Sequence, residues 1–503
     1  MMNIHSYIAC DLGAESGRVI LGTLQSGILT LEEVHRFPTG PVQHDDTLHW
    51  DIPRIFDELK AGLYRVAAHI GAAGTEADSP QVASLSVDSW GVDYVLTDAD
   101  LHPLSLPYHY RDARTEAVFG AATETVSAEV IFAETGVQFM PINTLYQVLA
   151  HQRQAPQEIA EADGLLLIAD YFHALFSGVR RAERSLASTT QLYNPVAGGW
   201  SAELLTGFAL PDTLFPPIVD SGTVLGPLLP EIAAETGLSA GLQVIATCSH
   251  DTGAAVAAVP EEGDDWAYLS SGTWSLIGVE LPEPLINPSV RAANFTNEIG
   301  YGGTVRFLKN IAGLWIIQEC RRAWLAEGKD YPYDELTRMA ESAPPFGGLI
   351  HPADARFLSP GGMPSKVREF CRQTGQPVPE TPGQIVRCAL ESLALSYQET
   401  LTQIEALTGR VIRRLHIVGG GSRNGLLNQF AANATGLAVS AGPVEATAIG
   451  NLLLQAVTLG HLDSVAELRR TVSASFPSQS YTPVGRDAWE TAYAKYQNME
   501  TLL

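Results

Sequence analysis

Asp11-Leu12-Gly13-Ala14-Glu15-Ser16-Gly17-Arg18 joins two apolar runs, Tyr7-Ile8-Ala9-Cys10 and Val19 to Leu24. Apolar runs on either side of a polar, glycine-rich stretch predict a β-hairpin with that stretch at its tip. Ile28 to Val34 alternates as the next strand. The plan returns late in the chain as Trp266-Ala267-Tyr268-Leu269, Ser270-Ser271-Gly272-Thr273 and Trp274 to Val279. The chain therefore reads as two halves built on one hairpin plan. Its 503 residues exceed one ordinary domain, and a hydrophobic content of 46% can fill two cores.

Further strands are predicted at Val82 to Val87, Leu165 to Ile168 and Gln243 to Thr247. The last leads into Cys248-Ser249-His250-Asp251, and the domain boundary is placed beside it, giving 1–246 and 247–503. Val386, Leu390, Leu393, Tyr397, Leu401 and Ile404 recur at helical steps, predicting a helix from about Gln384 to Thr408. Thr381-Pro382 supplies its start and Gly409 its stop. A strand from Leu415 to Val418, the turn Gly419-Gly420-Gly421 and a helical pattern through Leu426, Leu427, Phe430, Ala431 and Ala434 follow. That order brings backbone N–H groups to a phosphate or nucleotide. The Pro-rich stretches Leu214 to Leu229 and Glu280 to Pro288 read as loops.

With 56 acidic and 31 basic residues, the net charge of -25 repels phosphate backbones and anionic membrane surfaces, which excludes a nucleic-acid or membrane partner. Met1 to Ser6 lacks the basic and apolar regions of a secretory signal, and no apolar run is long enough to span a bilayer. Five cysteines without Cys-x-x-Cys spacing fit reduced thiols and a cytoplasmic setting, although Cys371 and Cys388 would bridge if folding joined them. No spacing marks an oligomeric state, and none of the 13 histidines shows zinc-ligand spacing.

The first hairpin tip admits two readings: an ordinary turn whose glycines permit positive φ, or a turn holding Mg²⁺ near Asp11 while backbone and Arg18 meet phosphate oxygens. The second donor-rich tip favours a phosphate clamp. No glycine turn forms the dinucleotide fingerprint or the Walker pattern. Ser249-His250-Asp251 is not a triad, because triads are assembled from separated segments. Asp251 reads either as a helix N-cap or as a carboxylate that takes a proton from a substrate hydroxyl. Asp88-Ser89-Trp90-Gly91-Val92-Asp93 and Tyr110-Arg111-Asp112-Ala113-Arg114 mix aromatic and polar groups, as a sugar site does, or as a buried Trp with a salt-bridged loop does.

Taken in order, these motifs, with Gly136-Val137-Gln138-Phe139, Leu308-Lys309-Asn310 and Ile417 to Gly421, resemble the FGGY carbohydrate kinase family over nearly the whole chain. The resemblance implies an α/β fold of two actin-like, ribonuclease-H-like domains with a ligand cleft between them, the N-terminal one binding sugar and the C-terminal one ATP. It also implies Mg²⁺-dependent transfer of the γ-phosphoryl group of ATP to the 1-hydroxyl of L-rhamnulose, with L-fuculose and L-xylulose as rival ketoses. Asp251 becomes the general base, with Gly91, His250, Thr252 and Asn310 as sugar contacts. Ala14, Glu15, Ser16, Gly17, Arg18, Thr273, Gln318 and Gly420 become ATP contacts, and Asp11 the route to Mg²⁺. Glu15 stands where some members have serine, so its backbone N–H, not its carboxylate, is the expected phosphate contact. A non-catalytic sensor on this fold would lack the base carboxylate, which this chain keeps. A filament-forming actin relative would need polymer contacts, for which the sequence has no signal.

Overall fold

The computed structural model describes residues 4–72 and 82–499. The first three residues of the N-terminal reading lie outside them. Two compact units emerge: residues 1–262, 280–307 and 446–476 form the first, and 263–279, 308–445 and 477–503 the second.

The first unit is organised by a six-stranded sheet. Its strands are β1 (Ile4–Leu12), β2 (Ser16–Gln25), β3 (Ile28–Pro38), β4 (Val82–Ser89), β5 (Thr223–Pro227) and β6 (Gln243–Ala246), in the order β5-β6-β4-β1-β2-β3. The expected hairpin is present, with only residues 13–15 left as its tip. β1 lies antiparallel to β2 and parallel to β4. Because strand side chains alternate between faces, Tyr7 and Ala9 share a face with their partners Gly22 and Ile20. The Ala446–Thr458 helix packs there, with Leu452 and Leu453 in the same core. A Cβ on Gly22 would lie 2.6 Å from Leu452, so the missing side chain sets how closely that helix approaches. The opposite face carries the Ile52–Ala72 helix, whose Gly62 meets Val19. Tyr7 to Leu12 is wholly buried, as expected of a central strand covered on both faces.

In the second unit β7 (Trp266–Ser271), β8 (Trp274–Leu281), β9 (Val305–Ala312), β10 (Arg414–Val418), β11 (Ala438–Ala441) and β12 (Gln479–Tyr481) run in the order β9-β8-β7-β10-β11-β12. β7 is antiparallel to β8 and parallel to β10, the same arrangement that β1 has with β2 and β4. The long helix runs Pro382–Thr408, closed by a capping box between Thr381 and Gln384 and by Gly409 in the left-handed region.

Several expectations are revised. The chain passes between the units more than once: the Asp251–Ala257 helix belongs to the first unit, and the chain re-enters that unit at Glu280 and again at Ala446. The reason is that the apolar Ala446–Thr458 helix fills the core over β1 and β4. The stretch 214–229 is not all loop, since β5 forms the sheet edge, with a register shift near Gly226 (φ 145°) and Pro227 at its end, both edge-strand features. The strand near 165 is Gly164–Leu167, and Ile168 already begins a helix. All five cysteines are buried free thiols, Cys371 and Cys388 included.

Candidate active site

Parity and register place the first unit's carboxylates. Asp11 lies on the same face as Tyr7 and Ala9, at the C-terminal end of β1, and pairs in register with Asp88 on β4. The C-terminal ends of parallel strands are where α/β sheets bind ligands. The Arg18 guanidinium ion-pairs with the Asp11 carboxylate across the hairpin, so Arg18 braces Asp11. At the tip Gly13 N–H donates to the Ser16 carbonyl at 3.0 Å, and Thr39 N–H donates to the Glu15 carbonyl at 3.2 Å. Gly17 is fixed by packing, as a Cβ there would meet the Phe37 ring at 2.4 Å.

Asp88 was legible only as part of a motif. It is fully buried, its Oδ2 accepts from Asn451 Nδ2 at 2.6 Å, and its Oδ1 is buried without a partner. Burial, with Asp11 next in effect, holds its pKa well above the ordinary carboxylate range. Among the described residues no three His, Cys, Asp or Glu side chains gather as a metal cage. Mg²⁺ in phosphoryl-transfer sites is bound through one or two carboxylates, water and phosphate oxygens, and Asp11 beside the open oxygen of Asp88 fits that chemistry.

Asp251 is the first residue of the Asp251–Ala257 helix, and His250 occupies the cap position. Its Oδ1 accepts from Thr252 N–H at 2.5 Å and Thr252 Oγ1 at 3.1 Å. No protein hydrogen bond among the described residues reaches Oδ2. The side chain keeps 32% of its exposure, yet its seat is poorly solvated enough that desolvation raises its pKa, His250 lowering it in part. The strand leading to it is held by Glu183, whose carboxylate accepts from Ser249 N–H at 3.0 Å and from Ser185 N–H at 2.9 Å. Ser89 N–H donates to the Ser249 carbonyl at 2.8 Å, which brings the Asp88 segment beside His250.

Two residues beyond Ser89, Gly91 rests on Thr189, where a Cβ would lie 2.9 Å from its hydroxyl. Val92 holds φ at 69°, a conformation that a β-branched residue occupies only when its surroundings over-determine it. Here Val92 N–H donates to Thr189 Oγ1 at 3.2 Å and its carbonyl accepts from Thr144 Oγ1 at 2.6 Å. Asp93 completes the clamp: it accepts from the indole N–H of Trp50 (2.6 Å) and Trp90 (3.0 Å), from Gln147 Nε2 (2.7 Å) and from Tyr110 N–H (3.3 Å). Glu183 was not singled out from sequence, and Asp88 and Asp93 only within their motif, because Asn451, Trp50, Gln147 and Ser249, which engage them, lie far along the chain.

In the second unit, Thr273 and Gln318 meet: Gln318 Nε2 donates to Thr273 Oγ1 at 3.3 Å, and the Thr273 carbonyl accepts from Gly313 and Trp315 N–H. The triple glycine lies against the hairpin tip, for a Cβ on Gly421 would sit 2.0 Å from Ser271 Oγ and one on Gly419 (φ 83°) 3.0 Å from its carbonyl. Gly420 faces open space. Asn310 lies on β9. The expected residues thus form two sets, Asp11, Ala14 to Arg18, Gly91 and His250 to Thr252 in the first unit, and Thr273, Asn310, Gln318 and Gly420 in the second.

Each unit carries a sheet on the same hairpin plan with a polar turn at its strand ends. Residues 6–258 match the N-terminal domain and 267–459 the C-terminal domain of the FGGY family of carbohydrate kinases. The chain belongs to this family. It is 44% identical over 493 residues to the rhamnulokinase of Bacteroides thetaiotaomicron, covering 98% of this chain and 99% of that protein. It is 41% identical to that of Enterococcus faecalis, covering 95% and 94%. Among solved structures, gluconate kinase from Lactobacillus acidophilus aligns with a TM-score of 0.81 at 16% identity over 99% of this chain and 98% of that one, which shows the shared fold.

Proposed function

We propose that the protein is a kinase transferring the γ-phosphoryl group of ATP to the 1-hydroxyl of L-rhamnulose, giving L-rhamnulose 1-phosphate and ADP. The observation that carries this reading is Asp251: a carboxylate at the start of a helix, one oxygen engaged by Thr252 and the other open, with its proton affinity raised. The family's chemistry and the named relatives supply the substrate class.

In this reading Asp251 Oδ2 takes the proton of the 1-hydroxyl as that oxygen bonds to the γ-phosphorus and the bond to the ADP oxygen breaks. Gly91, His250, Thr252 and Asn310 orient the ketose. The backbone of Ala14 to Arg18, with Thr273, Gln318 and Gly420, receives ATP. Asp11, aided by Asp88, would hold Mg²⁺, which neutralises phosphate charge when bound. The first unit is the sugar-binding one and the second the nucleotide-binding one, and the setting is the cytoplasm, where ATP is available.

The test is an ADP-release assay with L-rhamnulose, L-fuculose and L-xylulose, run on the wild type and on Asp251→Asn. L-Rhamnulose is expected to give the highest kcat/KM. A positioned general base is worth about 10²–10⁴-fold, so the Asn variant is expected to lose turnover by that factor with its melting temperature and ketose affinity retained. Preference for another ketose would reassign the substrate, and near-normal turnover in the variant would remove Asp251 from the mechanism.

A further inference from the structure

The ring of His250 is buried between three charged groups in the first unit. Its Nδ1 lies 3.0 Å from Arg306 Nη2 in a hydrogen bond and 3.4 Å from Glu298 Oε2. Its Nε2 lies 3.4 Å from Asp251 Oδ1. Ser185 Oγ accepts the His250 backbone N–H, Ser89 bridges to His250, and the Glu183 carboxylate lies behind Ser185, accepting from its hydroxyl and from Ser249 N–H. Arg306 has no exposed surface; its Nε and Nη2 donate to the Ile299 carbonyl at 3.3 Å, and its Nη1 lies 3.1 Å from Glu298 Oε2 in an ion pair.

A guanidinium can only donate. The atom receiving its hydrogen bond must present a lone pair, so Nδ1 carries no hydrogen and the ring hydrogen sits on Nε2, the atom that faces Asp251. Glu298 does not reverse this, because it lies closer to the guanidinium than to the ring. We infer that Arg306, with Glu298 beside it, is a positioning residue that holds His250 as the Nε2–H tautomer, so that the ring presents a donor toward Asp251 and the ketose. The pair's cost also finds a reason here. A buried ion pair rarely stabilises a fold more than apolar residues of like volume, and this one sets a tautomer that apolar residues cannot set. The inference deepens the reading of Asp251 as the base, but the tautomer can be read without any activity.

The experiment is ¹⁵N-histidine NMR on the full chain at pH 8, with His250 assigned by its loss in His250→Gln. The expected result is an acceptor-type Nδ1 and a hydrogen-bearing Nε2. A hydrogen on Nδ1 overturns the inference even if Asp251→Asn is inactive. Conversely, an active Asp251→Asn with the tautomer as stated sinks the base assignment and leaves Arg306's role on the ring standing. The double variant Arg306→Met/Glu298→Leu removes both buried charges together, leaving neither unpaired. It is expected to show both tautomers and a kcat at least tenfold lower than wild type, with the ATP KM within twofold of wild type. A double variant with the wild-type tautomer and wild-type kcat would equally refute the assignment.

Discussion

Replacing Asp93 by Asn tests the clamp behind Gly91 through the pH dependence of stability. The Asp93 carboxylate is 1% exposed and accepts four N–H groups, from Trp50, Trp90, Gln147 and Tyr110. Desolvation outweighs those bonds and lifts its pKa from 3.8 to about 6. The native state therefore holds the proton more tightly than the unfolded chain, and stability falls as pH rises through the window between these values. At about 1.4 kcal/mol per pH unit the full effect is roughly 3 kcal/mol, of which about 2 kcal/mol falls between pH 4 and 7. Asparagine does not titrate, and its amide faces the Gln147 donor, which costs about 1–3 kcal/mol independently of pH. Urea unfolding of both proteins at pH 4, 5, 6 and 7 is the assay. The wild type is expected to be the more stable at pH 4, and its advantage is expected to shrink by about 2 kcal/mol by pH 7. A difference that stays constant or grows with pH would refute the buried-charge account of this clamp.

Gly450→Ala is expected to lower the melting temperature and kcat together, because its Cβ would lie 1.9 Å from the Ala254 carbonyl oxygen, on the short helix that begins with Asp251. Overpacking of this kind costs about 1–3 kcal/mol or more, and an unchanged melting curve would show that the two helices do not approach as described. Gly420→Val is expected to leave the fold intact, since its Cβ meets nothing within 4 Å, while raising the ATP KM well above any change in the ketose KM. Equal changes in both constants would take Gly420 out of the nucleotide pocket.

What was legible in the sequence follows the range of the interactions involved. The hairpins at residues 4–25 and 266–281 declare themselves through adjacent apolar runs and glycine turns, and the Pro382–Thr408 helix through its period and its Thr381 cap, all signals contained within a few residues. The return of the chain to the first unit at Ala446 was not legible, because the Ala446–Thr458 helix shows an apolar pattern but not which sheet it covers. Of the two readings of Asp251, the N-cap one is set aside by one local fact, that His250 holds the cap position and Asp251 the first helical one. That fact is geometric, and the residue types at 250 and 251 permit either.

Asp11 and Asp88 stand 77 positions apart in sequence, and each alone is a carboxylate in a strand-like segment. Once β1 and β4 are known to be parallel with these residues in register, the two-residue period of a strand forces both carboxylates onto the face that carries Tyr7 and Ala9. Burial, with the Asp11 charge beside it, raises the proton affinity of Asp88, and groups so perturbed cluster at functional sites. The same reasoning applies to Glu298 and Arg306: only the hydrogen bond from position 306 to the ring at position 250 turns a buried ion pair into a determinant of the chemistry beside Asp251. Local sequence supplies the side chains of this site, and long-range register decides what they face.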